Sequence, residues 1–485
     1  MVIVGTAEVG CQFPKPSDVA DETDAAVPRF ALTVVADGPG TVSSLPAGIS
    51  CAANTCSAAF ESGQTVALTA TATGDALFAN YAGACNGAQP GCDVAMTEDR
   101  TVTATFVPFA CEPNVTTCSQ QTLVRCDANG MAHVSTCLFG CEPGGTRCYD
   151  LAPSNLGMTE CLDGAAVEPD AGIPDGATIN TDSGAITLAG GGTLAIPSET
   201  IEAPTDGVAV RCFRANNLTI GNVTVVGERA LAIAANGTVT ITGNLSVSAR
   251  AFDTPGPGHL SRSSGCRGEN GTNAGFFNLG GSGGAGFRGA GGRGGSGGPR
   301  AGGGAGGPAN GNDELVPLRG GCSGGGAGFF QAGGAVQLAS RVEIAVEGGI
   351  TANGWGGGRP DISTPWGGAS GGGVLLEAPL VRLRKQGLLV ANGGGGGGVT
   401  PGEPGGLTTL GAMGGPGEAA TGRGAGGLGG AVLNARFGDD SAGVGVGGGG
   451  GGSSGRVRVN SYRAFVPDDG AIMSPVVVAG SVGRR

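Results

Sequence analysis

From Gly280 to Ala309 the chain divides into triplets, and nine of the ten begin with glycine; Ala301 alone breaks the frame. A side chain missing at every third residue matches a backbone with three residues per turn, the period of the extended polyproline-II helix. That helix has no internal hydrogen bonds, so its amides need partners elsewhere. A collagen triple helix would call for much more proline than Pro299 and Pro308 supply here. Two readings stand. Folded-back polyglycine-II strands satisfy one another because glycine allows close backbone approach. A disordered glycine-rich linker leaves the amides to water. Cys266 and Cys322 flank the stretch, and Phe276, Phe277, Phe287, Phe329 and Phe330 offer rings to cap a bundle, which favours the ordered form.

Glycine is not confined to this stretch: it makes up 103 of 485 residues. Charged residues reach 14%, against about 25% in an ordinary soluble protein, and aromatics only 4%. Hydrophobic residues still make up 40%. This is too apolar for simple disorder and too poor in large side chains for a thick core. The net charge is −12, and Lys15 and Lys385 are the only lysines. Nucleic acid is excluded as the main partner, because phosphate neutralisation needs clustered cations. No run of 18 apolar residues occurs, and glycine interrupts nearly every helical pattern.

Beyond about residue 175 short alternating strands appear, at Leu218–Ile220, Val223–Val225, Leu231–Ile233, Val239–Ile241 and Leu245–Val247. Asn or Gly separates them, at Asn217, Asn222, Asn236 and Asn244 among others. Strands this short are unstable as isolated hairpins, but stacked coils let each pair with its copy in the next coil. Residues 333–358 align with 371–396: Val336 and Leu338 match Val374 and Leu376, Val342 and Ile344 match Val381 and Leu383, and Ala352-Asn353-Gly354 matches Ala391-Asn392-Gly393. Arg456–Val459 is a partial third copy. The expected fold is all-β: small disulfide-stapled β modules, then a parallel β-solenoid over 151–485. Glycine-rich, polyglycine-II-like insertions at about 255–333, 354–373 and 393–455 read as excursions from one face. Leu231, Ile233, Val239, Ile241, Val336, Leu338, Val374 and Leu376 are expected to point inward.

Fifteen cysteines accompany two histidines, His133 and His259, and no pair of C-x-x-C knuckles. A zinc site from Cys126, His133, Cys137 and Cys141 is one reading; disulfides in an oxidising, exported setting are the preferred one. Without Cys11 the count is even. Cys51–Cys56, Cys85–Cys92, Cys266–Cys322 and Cys161–Cys212 are the preferred pairs. Cys111, Cys118, Cys126, Cys137, Cys141 and Cys148 admit 15 pairings that sequence does not choose between.

Residues 1–29 read as a signal remnant and acidic tether. Val9-Gly10-Cys11 resembles the end of a bacterial lipoprotein signal, with Glu8 departing from the pattern; lipidation of Cys11 would place the true start upstream of Met1 and an anchor in the outer membrane. Within residues 30–108, GTVSSLPAGISC, FESGQTVALTATA, FANYAGAC and DRTVTATF resemble the divergent internalin-B-type repeat of bacterial surface proteins, with Tyr81 where many members carry Trp. The resemblance implies a β-grasp-like spacer or binding module. Residues 109–150 form a cysteine-rich module, with Asn129-Gly130 at a hairpin turn, similar to those of predicted surface lipoproteins of myxobacteria. The repeated GGG-V-L-L-E-A-P…A-N-G-G-G pattern resembles glycine-rich surface proteins of the same bacteria and implies surface location. The triplet stretch is similar to glycine-rich tips on some phage adhesins.

Glycine abundance also creates false motifs. Gly280–Gly284 matches a nucleophile-elbow string around Ser282 but lacks the flanking strand and helix. No phosphate loop occurs and no cofactor is implied. Asp439-Asp440 and Asp468-Asp469 read as turn carboxylates. The expected function is a non-catalytic adhesion or scaffold protein, at the cell surface, outer membrane or outside the cell. Its partner is a glycan or another cell surface, met by Arg288, Arg293, Arg300, Arg319, Trp355 and Trp366. Alternatives are a β-helix polysaccharide-degrading enzyme and an ice or flat-surface binder using Thr219, Thr224 and Thr240. Alkylating the unreduced protein and mapping it by mass should label at most Cys11; labelling of many other cysteines would sink the exported reading.

Overall fold

The computed structural model describes residues 28–485 apart from 53, 75, 88, 109–110, 120, 129, 158–160, 162–168, 203–206, 252, 261–264, 276–277, 327–331, 359–363, 432–433 and 443–444. Cys11 and the rings of Phe276, Phe277, Phe329 and Phe330 lie outside the described residues. The chain divides into two compact units: Met1–Thr136 with Pro143–Arg147, and Cys137–Glu142 with Cys148–Arg485. The cysteine-rich stretch is shared between them.

The first unit is a two-sheet β structure. Thr55–Glu61, Arg29–Asp37, Arg100–Pro108 and Ala76–Gly83 form one sheet; Ser50–Ala52, Gly40–Leu45, Thr65–Ala72 and Gly91–Ala95 form the other. Alternate residues Leu32, Val34, Val42, Val66, Leu68, Val102 and Ala104 meet in one core. Cys51–Cys56 and Cys85–Cys92 are joined. A three-stranded antiparallel sheet, Ala132–Thr136, Thr122–Cys126 and Thr116–Ser119, follows. Cys111 pairs with Cys126, and in the second unit Cys137 pairs with Cys148; Cys118 and Cys141 are also oxidised. Cys126 and Cys137 are therefore committed to disulfides rather than offered as thiolates. Disulfides in this number fit an oxidising, exported environment. Among the described residues no helix is long and apolar enough to cross a membrane.

The second unit is built from coils that each give one strand to each of three sheets. Val210–Ala215, Leu218–Ile220 and Val223–Val226 make one coil; Ala230–Ala235, Thr238–Ile241 and Asn244–Ser246 the next. Ala335–Ser340, Glu343–Val346 and Gly349–Thr351, then Gly373–Ala378, Leu380–Leu383 and Leu388–Val390, continue the stack, and Arg456–Ser461 and Ile472–Ser474 close it. Each strand pairs in parallel with its counterpart one coil on, except Leu380–Leu383, which ends its sheet. Leu231, Ile233, Val239, Ile241, Val336, Leu338, Val374 and Leu376 all lie in the core that the three sheets enclose.

One register differs from the sequence alignment. Ile344 pairs with Val381 and Val346 with Leu383; Val342, aligned with Val381 by sequence, is 38% exposed. The later coil takes up its extra residues in the turn before Leu388, where Gln386 has φ 71° and the Gly387 amide donates to the Arg384 carbonyl at 2.7 Å. A shift of two keeps every side chain on its own face, so the inward set survives.

Asparagines turn the corners by bonding the coil beside them. Asp170 Oδ1 accepts the Asn217 amide at 3.0 Å, and Asn217 Oδ1 accepts that of Thr238 at 2.8 Å. Asp175, Asn222 and Asn244 repeat this at the next corner, at 2.6 and 3.0 Å. At the third, the Asn353 amide donates to Ser248 Oγ at 2.9 Å, the Asn392 amide to Asn353 Oδ1 at 2.7 Å, and Ser474 Oγ to Asn392 Oδ1 at 2.7 Å. This is the physical content of the repeated Ala-Asn-Gly.

The three insertions all leave from that third corner, between the third strand of one coil and the first of the next. They do not run as separate excursions. Gly447–Ser453 lies among six other runs and exchanges hydrogen bonds with each in rotation. Its amides donate to Leu279, Ser282 and Ala285, to Asp439 and Arg436, and to Gly397 and Gly394. Its carbonyls accept from Gly295 and Gly292, from Gly427 and Gly430, and from Gly368 and Gly371. These bonds measure 2.7 to 3.1 Å, and each neighbour recurs every third residue. The packing leaves no room for side chains: a Cβ at Gly284 would stand 1.9 Å from the Gly451 carbonyl oxygen, and one at Gly281 1.9 Å from that of Gly448.

The first sheet of the stack is buried on both faces. Ala335–Ser340 and Gly373–Ala378 are buried at every position. The face turned away from the coil core carries Ala230, Ala232, Ala234, Ala335, Ala339 and Leu375, covered by Leu151, Leu156, Leu260, Phe287, Leu315 and Leu318. Cys161–Cys212 ties the cover to the sheet, and Cys266–Cys322 ties two runs of the first insertion. Gly284→Ala should destabilise the protein by about 1–3 kcal/mol or more, whereas Gly172→Ala, with nothing within 4 Å of the new methyl, should be neutral or stabilise by up to about 1 kcal/mol. Denaturant midpoints of the two variants check this, and equal midpoints would refute the packed bundle.

Candidate ligand-contacting surface

The covering layer holds most of the notable polar chemistry. Glu377 is fully buried on the outer face of the first sheet. Its carboxylate accepts from the Ser154 amide at 3.0 Å and hydroxyl at 2.5 Å, from Gln337 Nε2 at 2.6 Å and from Asn460 Nδ2 at 3.0 Å. Four donors hold the carboxylate in place, and it is shut off from solvent. This is a structural cross-tie between three stacked strands and the cover.

Arg456 lies on the same face. Alternation in Arg456–Val459 puts both arginines on the face turned away from the coil core. The Arg456 guanidinium is buried 4.7 Å from the Phe287 ring centroid and pairs with Asp313 at 3.3 Å. It also donates to the carbonyls of Asn310 and Gly311. Burial pulls its pKa down; Asp313 opposes that, and the nearby charges of Arg288 and Arg319 add to it. Two of the arginines singled out from sequence are thus brought to one place beside a third that sequence reasoning missed. Arg319 is half-buried and donates to Asn310 Oδ1 at 3.1 Å. Arg288 is half-buried and lines a cavity with Asn434, Ser453, Ser454 and Val476.

The other candidates are spread out. Arg293 and Arg300 are exposed; Arg293 Nη2 donates to Ser296 Oγ at 3.2 Å. Trp355 and Trp366 are half-buried on neighbouring glycine runs, where the Trp366 amide donates to the Gly358 carbonyl at 3.0 Å. Ser282 of the elbow-like string is fully buried inside the bundle, its hydroxyl accepting from the Gly271 amide at 3.3 Å. Asp440 Oδ1 accepts the Ser296 amide at 2.6 Å and Asp468 Oδ2 that of Lys385 at 3.2 Å. Glu343 and Arg382 form an ion pair at 2.9 Å. Thr219 and Thr240 are paired neighbours, but the row continues with Ala345 and Arg382.

The outer runs of the third insertion carry several large apolar groups in solvent. Leu407, Leu410 and Met413 follow one another at the three-residue period, the last two 73% and 57% exposed. Their run bonds to the next through the Gly429 amide and Ala412 carbonyl, and that one to a third through the Arg436 amide and Leu428 carbonyl, both at 2.9 Å. The third run carries Phe437, 70% exposed. Nothing in the composition singled these residues out; their spacing of three was the available signal. Comparison with known protein families, curated proteins and solved structures finds no match to this chain.

His133 is exposed, 3.9 Å from an Asp127 carboxylate oxygen. His259 is half-buried with Nδ1 3.2 Å from the Gly256 carbonyl. Burial pushes its pKa below the ordinary 6.5, against the opposing pull of that carbonyl and of Glu228 and Asp182. The folded state then binds this proton less readily than the unfolded chain. Stability from the neutral ring is complete above about pH 6.5 and is lost as pH falls from there toward the lower folded-state value. Melting temperature should drop over that interval, and His259→Gln should flatten the drop. A wild-type profile level from pH 7 down to the carboxylate range would contradict this.

Proposed function

We propose that this chain is a non-catalytic, exported surface protein that acts in adhesion or as a scaffold, held to the outer membrane through a lipidated Cys11. We read the glycine layer as a polyglycine-II bundle carried on a β-solenoid. The observation that carries the reading is the set of exposed apolar side chains on backbone-bonded runs: of three successive runs of one hydrogen-bonded frame, the first carries Leu410 and Met413 and the third carries Phe437. Apolar groups displayed on a rigid frame are the mark of a contact surface, and a frame fixed by backbone bonds loses little entropy when a partner docks. The disulfides favour a place outside the cell.

The purified full chain, applied to a glycan array and to whole bacterial cells, should bind at least one surface. Leu410→Ser, Met413→Ser and Phe437→Ser combined should reduce that binding by about tenfold or more, with an unchanged melting temperature because the replaced groups face solvent. Full retention of binding by the triple variant would refute the role of these runs, and turnover of any polysaccharide by the wild-type chain would overturn the non-catalytic reading.

A further inference from the structure

The cavity beside Arg288 has a volume of about 300 Å³ and is walled by Arg288, Asn434, Ser453, Ser454 and Val476. The arginine is held at both ends: its backbone amide donates to the Ser454 carbonyl at 3.3 Å, and Nη1 donates to the Val476 carbonyl at 3.2 Å. A guanidinium carries five N–H donors in a planar fork. Among the described residues the Val476 carbonyl is its one side-chain partner, and no carboxylate pairs with it. Positioned donors at a cavity wall that is open to solvent are available to an acceptor from outside the chain. The charge around it agrees. Arg319 and Arg456 lie close enough for Arg456 to feel Arg288, with Asp313 offsetting part of the positive charge. The whole chain has a net charge of −12, so this is a local reversal of sign.

The remaining walls describe the rest of the ligand. Asn434 is exposed and offers amide donors and an acceptor; the Ser454 hydroxyl adds a donor and two acceptor lone pairs. Val476 is 58% exposed and supplies an apolar side. A carboxylate attached to a ring with hydroxyls on its edge and C–H groups on its face presents this combination, and guanidinium recognises carboxylate in a planar, bidentate way. We propose that this cavity binds an acidic sugar, a uronate residue of a glycan. Arg288 takes the carboxylate, Asn434 and Ser454 take ring hydroxyls, and the Val476 methyl groups cover the ring face. The site lies apart from the exposed apolar runs and stands or falls without them.

Ligand-observed NMR on the full chain, with glucuronate, glucose and inorganic sulfate as probes, tests the assignment. Glucuronate should bind, glucose should not, and sulfate should bind at least about tenfold more weakly than glucuronate. Arg288→Met keeps the apolar stem and should weaken glucuronate binding about tenfold or more. Asn434→Asp, at an exposed position that leaves the fold intact, should do the same by setting a second carboxylate against the ligand. Absence of glucuronate binding, equal binding of glucose, sulfate binding as tight as glucuronate, or full affinity in Asn434→Asp would each overturn the proposal. Glucuronate binding that persists in the Leu410, Met413 and Phe437 triple variant supports it and separates this site from the apolar surface.

Discussion

A carbonyl oxygen 1.9 Å from where a Cβ would sit is the condition on which the second unit rests. Backbones that close exchange hydrogen bonds in several directions, which a β-sheet cannot do because its side chains hold neighbouring layers about 10 Å apart. Gly447–Ser453 shows the result, with donors and acceptors used in turn on six neighbours. Cohesion here comes from satisfied amides rather than from buried aliphatic volume. That explains how a chain with 4% aromatic residues fills a layer around a narrow core. It also explains why glycine cannot be diluted inside the bundle: at positions such as Gly281, Gly284, Gly292 and Gly450 a methyl would meet backbone, which has no rotamer to move.

The stack of coils and the glycine layer are joined through one sheet with two dry faces. Its inner face is aliphatic, and its outer face carries Ala230, Ala232, Ala234, Ala335 and Ala339 on two adjacent strands, small groups that let the cover approach. The few long polar groups on that outer face are cross-ties. Glu377 collects donors from Ser154, Gln337 and Asn460, and Arg456 reaches over Phe287 to Asp313. At the edge, Asp150 takes both arms of Arg341 at 2.8 Å, and its backbone pairs with that of Arg485. Burial alone would raise the Asp150 pKa, but Arg341 and the Leu151 amide together hold it below the ordinary carboxylate value.

Much of this was legible because alternation is a strong signal where one face is buried. Leu231, Ile233, Val336 and Val374 could be placed inward from their period of two alone. The Asn residues between strands read correctly as turn formers, although their bonding to the adjacent coil needed coordinates. Other features were hidden for identifiable reasons. Val342 was misaligned because a slip of two residues preserves the pattern that alignment relies on. The burial of Arg456 was hidden because sequence does not say that a second layer covers the outer face. The bonding of the insertions to one another was hidden because it joins distant positions, as the Gly450 amide to the Ser282 carbonyl, through atoms that every residue possesses. The Arg288 cavity was half legible: its arginine stood out in an acidic chain, but its companions Asn434, Ser454 and Val476 come from two later segments.

The position of Gly447–Ser453 among its neighbours also sets an order of assembly. Its partners begin at Leu279 and end with residues of the third insertion, so the run at the middle of the layer is the one nearest the C-terminus. Coils can stack as the chain appears, each new strand adding to the one before. The glycine runs have no such option; until the last one arrives, its neighbours hold amides with only water to satisfy them. Contacts of this span are slow to form. A chain exported from its N-terminus would therefore emerge with a pliant, water-filled layer and become rigid only once Gly447–Ser453 is through. The stiffness would thus develop on the far side of the barrier the chain has to cross.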